Sequence, residues 1–324
     1  MTEKKKLNIK NRYFIYLLPQ LQLAAALWLF VLTASYIWST PHPPIHHSVL
    51  SASTQTVDLP PFPTQVVLSS LNITATSYTT LDLNSGQFLL HSNADSLHAP
   101  ASTTKLLLAW VVRRRCALDQ SIPVQESFNQ GAVLGLKVNQ HFQVRDLLYA
   151  LLLPSNNDVA VALADGCLGS QSTAVSAMNS QAASWGLTDT HFANPHGLDD
   201  PSNYSTAHDL ALLAKYAMTD PVLSQIVSTA SFSFTSPDGQ TYHLKSTNQL
   251  LGQDGVTGIK TGSTDMAGEN FIARATISGH QVITVVLGSR DRFADTHKLL
   301  LEILKVYRWY ETASASPNSK LHEN

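Results

Sequence analysis

The chain of 324 residues carries little charge, and this shortage limits the partners that it can have. Charged residues make up 14% of the sequence and the formal net charge is -2. A nucleic acid partner is therefore not expected, because it would call for a strongly basic surface. The hydrophobic content of 44% is typical of a folded protein and argues against a disordered one.

Patterns that bind metals or mark common hydrolases are also missing. The 13 histidines are scattered, and there is no His-Glu-x-x-His, no Cys-x-x-Cys and no carboxylate cluster at ligand spacing. No metal or organic cofactor is therefore expected. The sequence also lacks Gly-x-Ser-x-Gly, which argues against a Ser-His-Asp hydrolase.

Cysteine is scarce, since Cys116 and Cys167 are the only two. Free cysteine is among the most buried residue types, so two buried free thiols are the preferred interpretation. A disulfide bridge between them is the alternative. The cellular compartment therefore has to be inferred from another part of the sequence.

The N-terminus carries a long run without charge. Residues 13–38 contain no Asp, Glu, Lys or Arg and follow the basic residues 1–12. A membrane-spanning helix needs about 20 apolar residues, whereas a cleavable signal has an apolar region of about 7 to 15 and a small-x-small site. No such site follows Trp38, so an uncleaved single-pass anchor is favoured over a cleaved signal. In both cases the basic flank is expected in the cytoplasm and the rest outside it, at the cell membrane.

The remainder of the chain divides by composition. Residues 39–65 are rich in Pro, Ser, Thr and His and are expected to form an extended linker. A folded domain is predicted for residues 66–312, followed by a disordered polar tail at residues 313–324.

Strands are predicted near both ends of this domain and helices in its middle. Turn signals at residues 84–86 and 278–279 each separate two strand-like segments. The predicted strands are Thr76–Leu83, Gln87–His91, Phe271–Ile277 and Gln281–Leu287, and the predicted helices are Lys105–Val112, Val144–Leu153, Asp158–Leu168, Ala207–Met218 and Phe293–Tyr310. This order predicts an α/β (α+β) fold, with one antiparallel sheet built from both ends, flanking helices and a helical insertion.

A serine and a lysine three residues apart begin the helix at Lys105. Ser-x-x-Lys occurs once, as Ser102-Thr103-Thr104-Lys105, and places the amine one helical turn from the hydroxyl. A lysine can take the proton of a serine only when its pKa is lowered, and the apolar residues that follow Lys105 make its burial plausible.

Two weaker motifs follow along the chain. Ser-x-Asn occurs five times, but only Ser155-Asn156-Asn157 lies at a break between two apolar helices. A helix N-cap at Ser155 or Asn156 is the alternative role. Lys260-Thr261-Gly262-Ser263 reads as a strand edge at which a glycine admits a substrate backbone, or simply as a turn with a surface lysine.

In this order and spacing the three motifs resemble those of penicillin-binding proteins and serine β-lactamases. The surrounding residues from about Thr76 to Tyr310 resemble the low-molecular-mass serine D-alanyl-D-alanine carboxypeptidases, as in Asn194-Pro195-His196-Gly197-Leu198-Asp199. The resemblance implies a β-lactamase/transpeptidase-like fold with its active site between sheet and helices. It also implies peptidoglycan stem peptides as substrates and β-lactam antibiotics as covalent inhibitors.

The resemblance assigns the chemistry to three residues. Ser102 would attack the carbonyl between two D-alanines, Lys105 would be its base, and Ser155 would relay a proton to the departing D-alanine. The backbone amides of Ser102 and Ser263 would form the oxyanion hole.

The resemblance assigns substrate binding to a second group of residues. Asn157 would bind the substrate backbone, Lys260 would hold the cleft electrostatically and lower the pKa of Lys105, and Thr261 would meet the substrate carboxylate beside Gly262. Arg292 would grip that carboxylate, with Arg290 as its competitor. His196, Tyr204 and His208 are interpreted as structural. Thr247 stands where some relatives have an arginine, which shifts carboxylate binding toward Arg292 and Thr261.

A D,D-carboxypeptidase is the predicted function, and three alternatives stay open. A D,D-endopeptidase cutting cross-links is the nearest. A β-lactamase would need a base for deacylation, and neither Glu126 nor Glu269 lies in a Glu-x-x-x-Asn context. An inactive wall-binding module would have been free to lose the motif residues that this chain retains.

Overall fold

The computed structural model describes residues 62–65 and 71–310. The predicted basic segment, apolar run and tail lie outside these residues, as does most of the predicted linker. Within the described residues, no helix is both long enough and apolar enough to cross a bilayer.

One antiparallel sheet of five strands organises the fold, in the order β3-β2-β10-β9-β8. Its strands come from both ends of the domain, as predicted: β2 is Ser77–Asp82, β3 Phe88–Ser92, β8 Val256–Thr264, β9 Gly268–Ile277 and β10 His280–Ser289. Three two-stranded ribbons join β1 (Phe62–Gln65) to β11 (Tyr307–Tyr310), β4 (Ser121–Pro123) to β5 (His141–Gln143), and β6 (Ser231–Thr235) to β7 (Thr241–Lys245).

Helices cover both faces of the sheet. They are α1 Lys105–Arg113, α2 Val144–Leu152, α3 Asn157–Leu168, α4 Gln171–Ser184, α5 Ala207–Ala217, α6 Pro221–Val227 and α7 Arg292–Val306. On one face Ile272 and Ile283 pack with α1, α5 and the helical region. On the other face Phe271 packs with Leu300 and Ile303 of α7. Neighbouring residues of β9 therefore enter different cores, because side chains alternate across a strand.

Helix α1 is buried on nearly every side. Leu106, Leu107, Leu108 and Val112 are all fully buried, so this helix runs through the centre of the helical region. A short 3-10 turn, Ala101–Thr104, leads into it. The position of this turn places Ser102 and Lys105 where the helical region meets β8.

Three predictions about local structure need correction or refinement. The last helix ends at Val306 and not at Tyr310, because Tyr307–Tyr310 pair with β1 as strand β11. The sequence predicts Ser205 or Thr206 as the N-cap of the helix from Ala207, and Thr206 takes this position in α5, since its side chain accepts a hydrogen bond from the amide of Asp209. Asn156 occupies the N-cap position of α3, but its side chain makes no capping hydrogen bond.

The preferred interpretation of the cysteines is wrong. Cys116 and Cys167 form a disulfide, with Cα atoms 5.7 Å apart. Cys116 lies just beyond α1 and Cys167 in the last turn of α3, so the bridge joins the ends of two central helices. Cys116 is buried and Cys167 half-buried at this position, and neither needs to be a free thiol.

Candidate active site

The turn that carries Ser102 is fixed by close backbone packing. Ala101 has a φ of 50°, which is unusual for a residue with a side chain. A Cβ atom at Gly197 would lie 2.0 Å from the carbonyl oxygen of Ala101, and one at Gly262 would lie 2.9 Å from the amide nitrogen of Ser102. Glycine at these two positions therefore allows the loop around Gly197 and strand β8 to press against the Ser102 turn.

Lys105 lies within hydrogen-bond distance of Ser102 and is fully buried. Its Nζ is 2.8 Å from Ser102 Oγ and 2.6 Å from Asn157 Oδ1, and it also donates to the carbonyl oxygen of His196. All of these partners are neutral. The amine therefore has acceptors to orient it, but no carboxylate among residues 62–65 and 71–310 pairs with it to hold it in the charged form.

The pKa of Lys105 is held well below its usual value by burial, and the nearby positive charge of Lys260 lowers it further. A neutral amine beside a serine hydroxyl can accept its proton. The same surroundings lower the pKa of His196 to about 4, through burial and then through Lys105, so its imidazole is neutral at pH 7. His196 enters the site through its backbone carbonyl, a contact that sequence reasoning missed because it leaves no signal in residue type.

Ser155 and Asn157 lie where the turn after α2 leads into α3. Ser155 has a φ of 74°, and its buried hydroxyl has no hydrogen-bond partner among the described residues. Asn157 begins α3, and its Nδ2 donates to the carbonyl oxygen of Gln130 over 2.9 Å. A hydroxyl without a partner is available to a ligand, whereas the Asn157 amide is already held at both ends.

Strand β8 supplies the opposite wall of the site. Lys260 is 1% exposed and its Nζ donates to the carbonyl oxygen of Thr261. Burial, and then the charge of Arg292, lower the pKa of Lys260 to about 7. The Thr261 hydroxyl lies 2.6 Å from that of Thr247, so Thr247 contacts the threonine that is predicted to bind the carboxylate.

Of the two candidate arginines, Arg292 reaches the cleft. Its Nη1 donates to the carbonyl oxygen of Gly262 over 2.8 Å, and its Nε lies 3.9 Å from Glu269 Oε2. Arg290 is exposed and is not part of the cleft lining. Neither glutamate considered as a base lines the cleft: Glu126 hydrogen-bonds the side chain of Gln171, and Glu269 is paired with Arg292.

These residues surround a cleft of about 280 Å³. Its lining is Ser102, Gly131, Ala132, Pro154, Ser155, Asn157, Gly197, Leu198, Thr247, Thr261, Gly262, Ser263, Thr264 and Arg292. Lys105 and Lys260 lie beneath this surface. Gly131, Ala132 and Leu198 were not predicted, because they enter the site through loops whose course depends on distant contacts.

A larger cavity of about 720 Å³ between α2, α6 and β6 shares no residue with this cleft. Its charged residues, Arg145 and Asp146, are paired with each other. Ser233, Thr235 and Ser236 line it, but no lysine does, so the smaller cleft with its Ser102–Lys105 pair is the candidate active site.

The fold and the cleft together place a serine hydroxyl beside a buried lysine amine, an arrangement that suits a serine acyl-transferring enzyme. Comparisons with known proteins agree with this class. The family described as D-alanyl-D-alanine carboxypeptidase matches residues 64–291. DacB2 of Mycobacterium tuberculosis is 36% identical over 66% of this chain and 74% of its own length. DacC of Escherichia coli is 33% identical over 78% of this chain and 66% of its own length.

Solved structures show the same relationship. A D-alanyl-D-alanine carboxypeptidase from Mycobacterium tuberculosis superposes with a TM-score of 0.68 at 33% identity, over 72% of this chain and 92% of that one. A Streptomyces DD-transpeptidase superposes with a TM-score of 0.68 at 30% identity, over 72% of this chain and 98% of that one. The chain belongs to the D-alanyl-D-alanine carboxypeptidase family. It is a serine-type hydrolase of the penicillin-binding kind, which implies a peptidoglycan substrate and binding of β-lactams.

Proposed function

We propose that this chain removes the terminal D-alanine from peptidoglycan stem peptides through an acyl-enzyme on Ser102. The observation that carries the proposal is the buried Lys105 amine, 2.8 Å from Ser102 Oγ and without a carboxylate partner among the described residues. Lys105 takes the hydroxyl proton as Ser102 Oγ bonds to the carbonyl carbon between the two D-alanines. The backbone amides of Ser102 and Ser263 stabilise the oxyanion, a contribution of about 3 kcal/mol for each donor.

Collapse of the tetrahedral intermediate breaks the carbon–nitrogen bond. The departing amine takes the proton from Lys105 through the Ser155 hydroxyl, which has no hydrogen-bond partner of its own among the described residues. Lys105, neutral again, then takes a proton from water as the water oxygen bonds to the ester carbon. When this second tetrahedral intermediate collapses, the bond to Ser102 Oγ breaks and Lys105 returns its proton to that oxygen. The products are D-alanine and a stem peptide shortened by one residue.

The carboxylate of the substrate identifies which end of the peptide enters the cleft. We propose that it binds between Thr261 and Arg292, both of which line the cleft on the Lys260 side. A guanidinium and a hydroxyl suit a carboxylate, and the buried charge of Lys260 strengthens the local positive potential. On the facing wall, the second hydrogen of the Asn157 NH2 group would donate to the backbone of the peptide, since Gln130 takes only one of the two.

The acceptor that resolves the acyl-enzyme decides among related reactions. Water gives a carboxypeptidase, or an endopeptidase when the bond that breaks belongs to a cross-link, whereas a peptide amine gives a transpeptidase. The close coverage of the Streptomyces DD-transpeptidase supports testing the last possibility. A synthetic N-acetylated peptide ending in D-alanyl-D-alanine should yield free D-alanine with the native chain and none with Ser102→Ala. Added glycine that becomes incorporated in place of D-alanine would favour transfer over hydrolysis.

We further propose that the chain is anchored in the cell membrane by residues 13–38, with its catalytic domain outside the cytoplasm. The uncharged N-terminal run and its basic flank support this. The Cys116–Cys167 disulfide also supports it, because such bridges persist in oxidising compartments. Fractionation of cells should recover the chain with membranes, and an external protease should release the catalytic domain.

A further inference from the structure

The loop of residues 130–136 forms one wall of the cleft without any regular secondary structure. Gly131 and Ala132 of this loop line the cleft directly. Such a segment needs outside contacts to hold one conformation, because it has no helix or sheet hydrogen bonds of its own. Among the described residues, the side chains that hydrogen-bond its backbone belong to Asn157 and Asp158.

The first set of hydrogen bonds joins the loop to Lys105 through Asn157. The backbone amide of Asn157 donates to the carbonyl oxygen of Ala132 over 2.7 Å, and its Nδ2 donates to that of Gln130. An asparagine side chain has one donor end and one acceptor end. Because Gln130 takes the donor end, the acceptor end faces Lys105 Nζ, 2.6 Å away. The loop backbone therefore sets the orientation of the group that orients the base.

The second set of hydrogen bonds is accepted by the carboxylate of Asp158, a residue that is only 3% exposed. Its Oδ1 accepts from the amide of Leu134 over 2.9 Å, and its Oδ2 accepts from the amides of Gly135 and Leu136 over 2.8 and 3.0 Å. Hydrogen bonds to an ionised acceptor are about twice as strong as neutral ones. Asp158 thus holds three successive backbone amides of the loop.

We propose that Asp158 is a positioning residue for acylation: its carboxylate holds loop 130–136, the loop carbonyls hold Asn157, and Asn157 holds Lys105. This inference rests on the proposed function of Ser102 and Lys105. Asp158 is not part of the cleft lining and has none of the reacting residues among its hydrogen-bond partners, so it acts through other groups. Asp158 directly follows Asn157 in α3, so both sets of hydrogen bonds to the loop start from the first turn of the same helix.

Asp158→Asn tests this with little change in shape. The amide retains one acceptor oxygen but turns an NH2 group toward backbone amides that are themselves donors, so loop contacts are lost or reversed. Asp209→Asn is the matched control. Asp209 is also a buried carboxylate in the first turn of a helix, and it accepts from the amide of Asp189 and the hydroxyl of Thr190, neither of which lines the cleft.

The experiment follows acylation of the full chain by benzylpenicillin with intact mass spectrometry, over a range of penicillin concentrations, together with hydrogen exchange of residues 134–136. For Asp158→Asn we expect the limiting acylation rate to fall on the order of 100-fold, as for a misplaced catalytic group, with faster exchange in the loop. For Asp209→Asn we expect a comparable loss of melting temperature but an acylation rate within about twofold of the native one.

Three results would overturn the inference. One is a folded Asp158→Asn variant that acylates at the native limiting rate. A second is an equal loss of rate in Asp209→Asn, which would assign the effect to general stability. A third is native exchange in the loop of Asp158→Asn despite a slower reaction. If the native chain itself forms no adduct, that result contradicts the proposed function, and the inference about Asp158 is then also wrong because it rests on that function.

Discussion

At the residue scale, the chemistry of this site depends on two buried lysines that have no acidic partner among the described residues. Lys105 and Lys260 are both at most 1% exposed. Burial disfavours an isolated charge, so each lysine loses its proton more easily than in water. The two are not equivalent, because Lys260 is the charge that lowers the pKa of Lys105, while Arg292 is the charge that lowers the pKa of Lys260. These effects favour the neutral form of Lys105, while the Arg292 guanidinium supplies positive charge beside Gly262.

The lowered pKa values of the two lysines predict how acylation by the free enzyme depends on pH. Acylation needs neutral Lys105 and charged Lys260, so its second-order rate constant should fall as pH rises through about 7, where Lys260 loses its proton. Arg292→Gln removes a charge that lowers the pKa of Lys260, so this descending limb should move to higher pH. Arg292→Lys keeps the charge and should leave the limb near its native position. A limb in Arg292→Gln that stays or moves to lower pH would contradict the assignment.

Thr247 offers a second test at this scale. Its hydroxyl lies 2.6 Å from that of Thr261, and its amide donates to the carbonyl oxygen of Leu153. Thr247→Val keeps the shape but removes the partner of the Thr261 hydroxyl. We expect a loss of about 1 kcal/mol, roughly fivefold, in kcat/KM for a peptide ending in D-alanyl-D-alanine.

Thr247→Ser retains the hydroxyl and should recover most of that loss. If Thr247→Val has the same kcat/KM as the native chain, the Thr247–Thr261 hydrogen bond does not orient the substrate carboxylate.

The sequence predicts the residues of the site better than it predicts their contacts. Ser102 and Lys105 are found because a spacing of three on a helix brings side chains together. The carbonyl oxygens of His196 and Gln130 are invisible in the sequence, since every residue has a carbonyl and only the fold decides which one reaches the site. The same reason hides the three loop amides held by Asp158.

At the element scale, local signals predict elements well where turns and apolar periodicity are strong. The hairpin of β9 and β10 turns at Ser278-Gly279 as predicted, with φ values of 49° and 83°. Helix α4, Gln171–Ser184, was missed because its sequence is polar on most sides and buries only Ala174, Met178 and Ala182. The local pattern predicts helix for the residues of β11, because their partner β1 lies more than 240 residues earlier in the chain.

The contact between the Gly197 loop and the Ser102 turn gives a prediction about elements. Gly197→Ala places a methyl group 2.0 Å from the Ala101 carbonyl oxygen, in addition to the strain of a φ of 82°. Gly239→Ala is the matched control, with a φ of 86° and no atom within 4 Å of the new methyl group. The control should lose about 1–2 kcal/mol of stability from the backbone alone.

Gly197→Ala should lose a further 1–3 kcal/mol or so from overpacking and acylate at least about tenfold more slowly, because the Ser102 turn must shift. Chemical denaturation and penicillin acylation measure the two effects. Equal stability and equal acylation rates in the two variants would show that the loop does not fix the Ser102 turn.

At the scale of the whole molecule, the fold is closed by contacts between distant parts of the chain. The five-stranded sheet combines strands from both ends of the domain, and the helical region between them carries the facing wall of the cleft. The order of elements along the chain, with strands near both ends and helices in the middle, was sufficient to predict this architecture. It was not sufficient to predict the disulfide, because two cysteines 51 residues apart meet only when α1 and α3 pack together.

The disulfide should contribute to the stability of the whole domain. In the chain-entropy account, a closed loop of this length stabilises the folded state by about 4 kcal/mol. The double variant Cys116→Ser, Cys167→Ser should therefore unfold at lower denaturant concentration while still acylating Ser102 once folded. A reductant should shift the native chain in the same direction and leave the double variant unchanged. Equal stability of oxidised and reduced native chain would contradict a structural role for the bridge.

The central claim is that Ser102, activated by a buried neutral Lys105, forms the acyl-enzyme. The most direct measurement adds benzylpenicillin to the full chain and to Ser102→Ala and follows intact mass over time, with peptide mapping of any adduct. We predict an adduct on Ser102 that persists for minutes or longer and is absent from the variant. Rapid destruction of penicillin without a lasting adduct would indicate a β-lactamase, and a folded chain that neither binds nor destroys penicillin would contradict the assignment of this cleft as the active site.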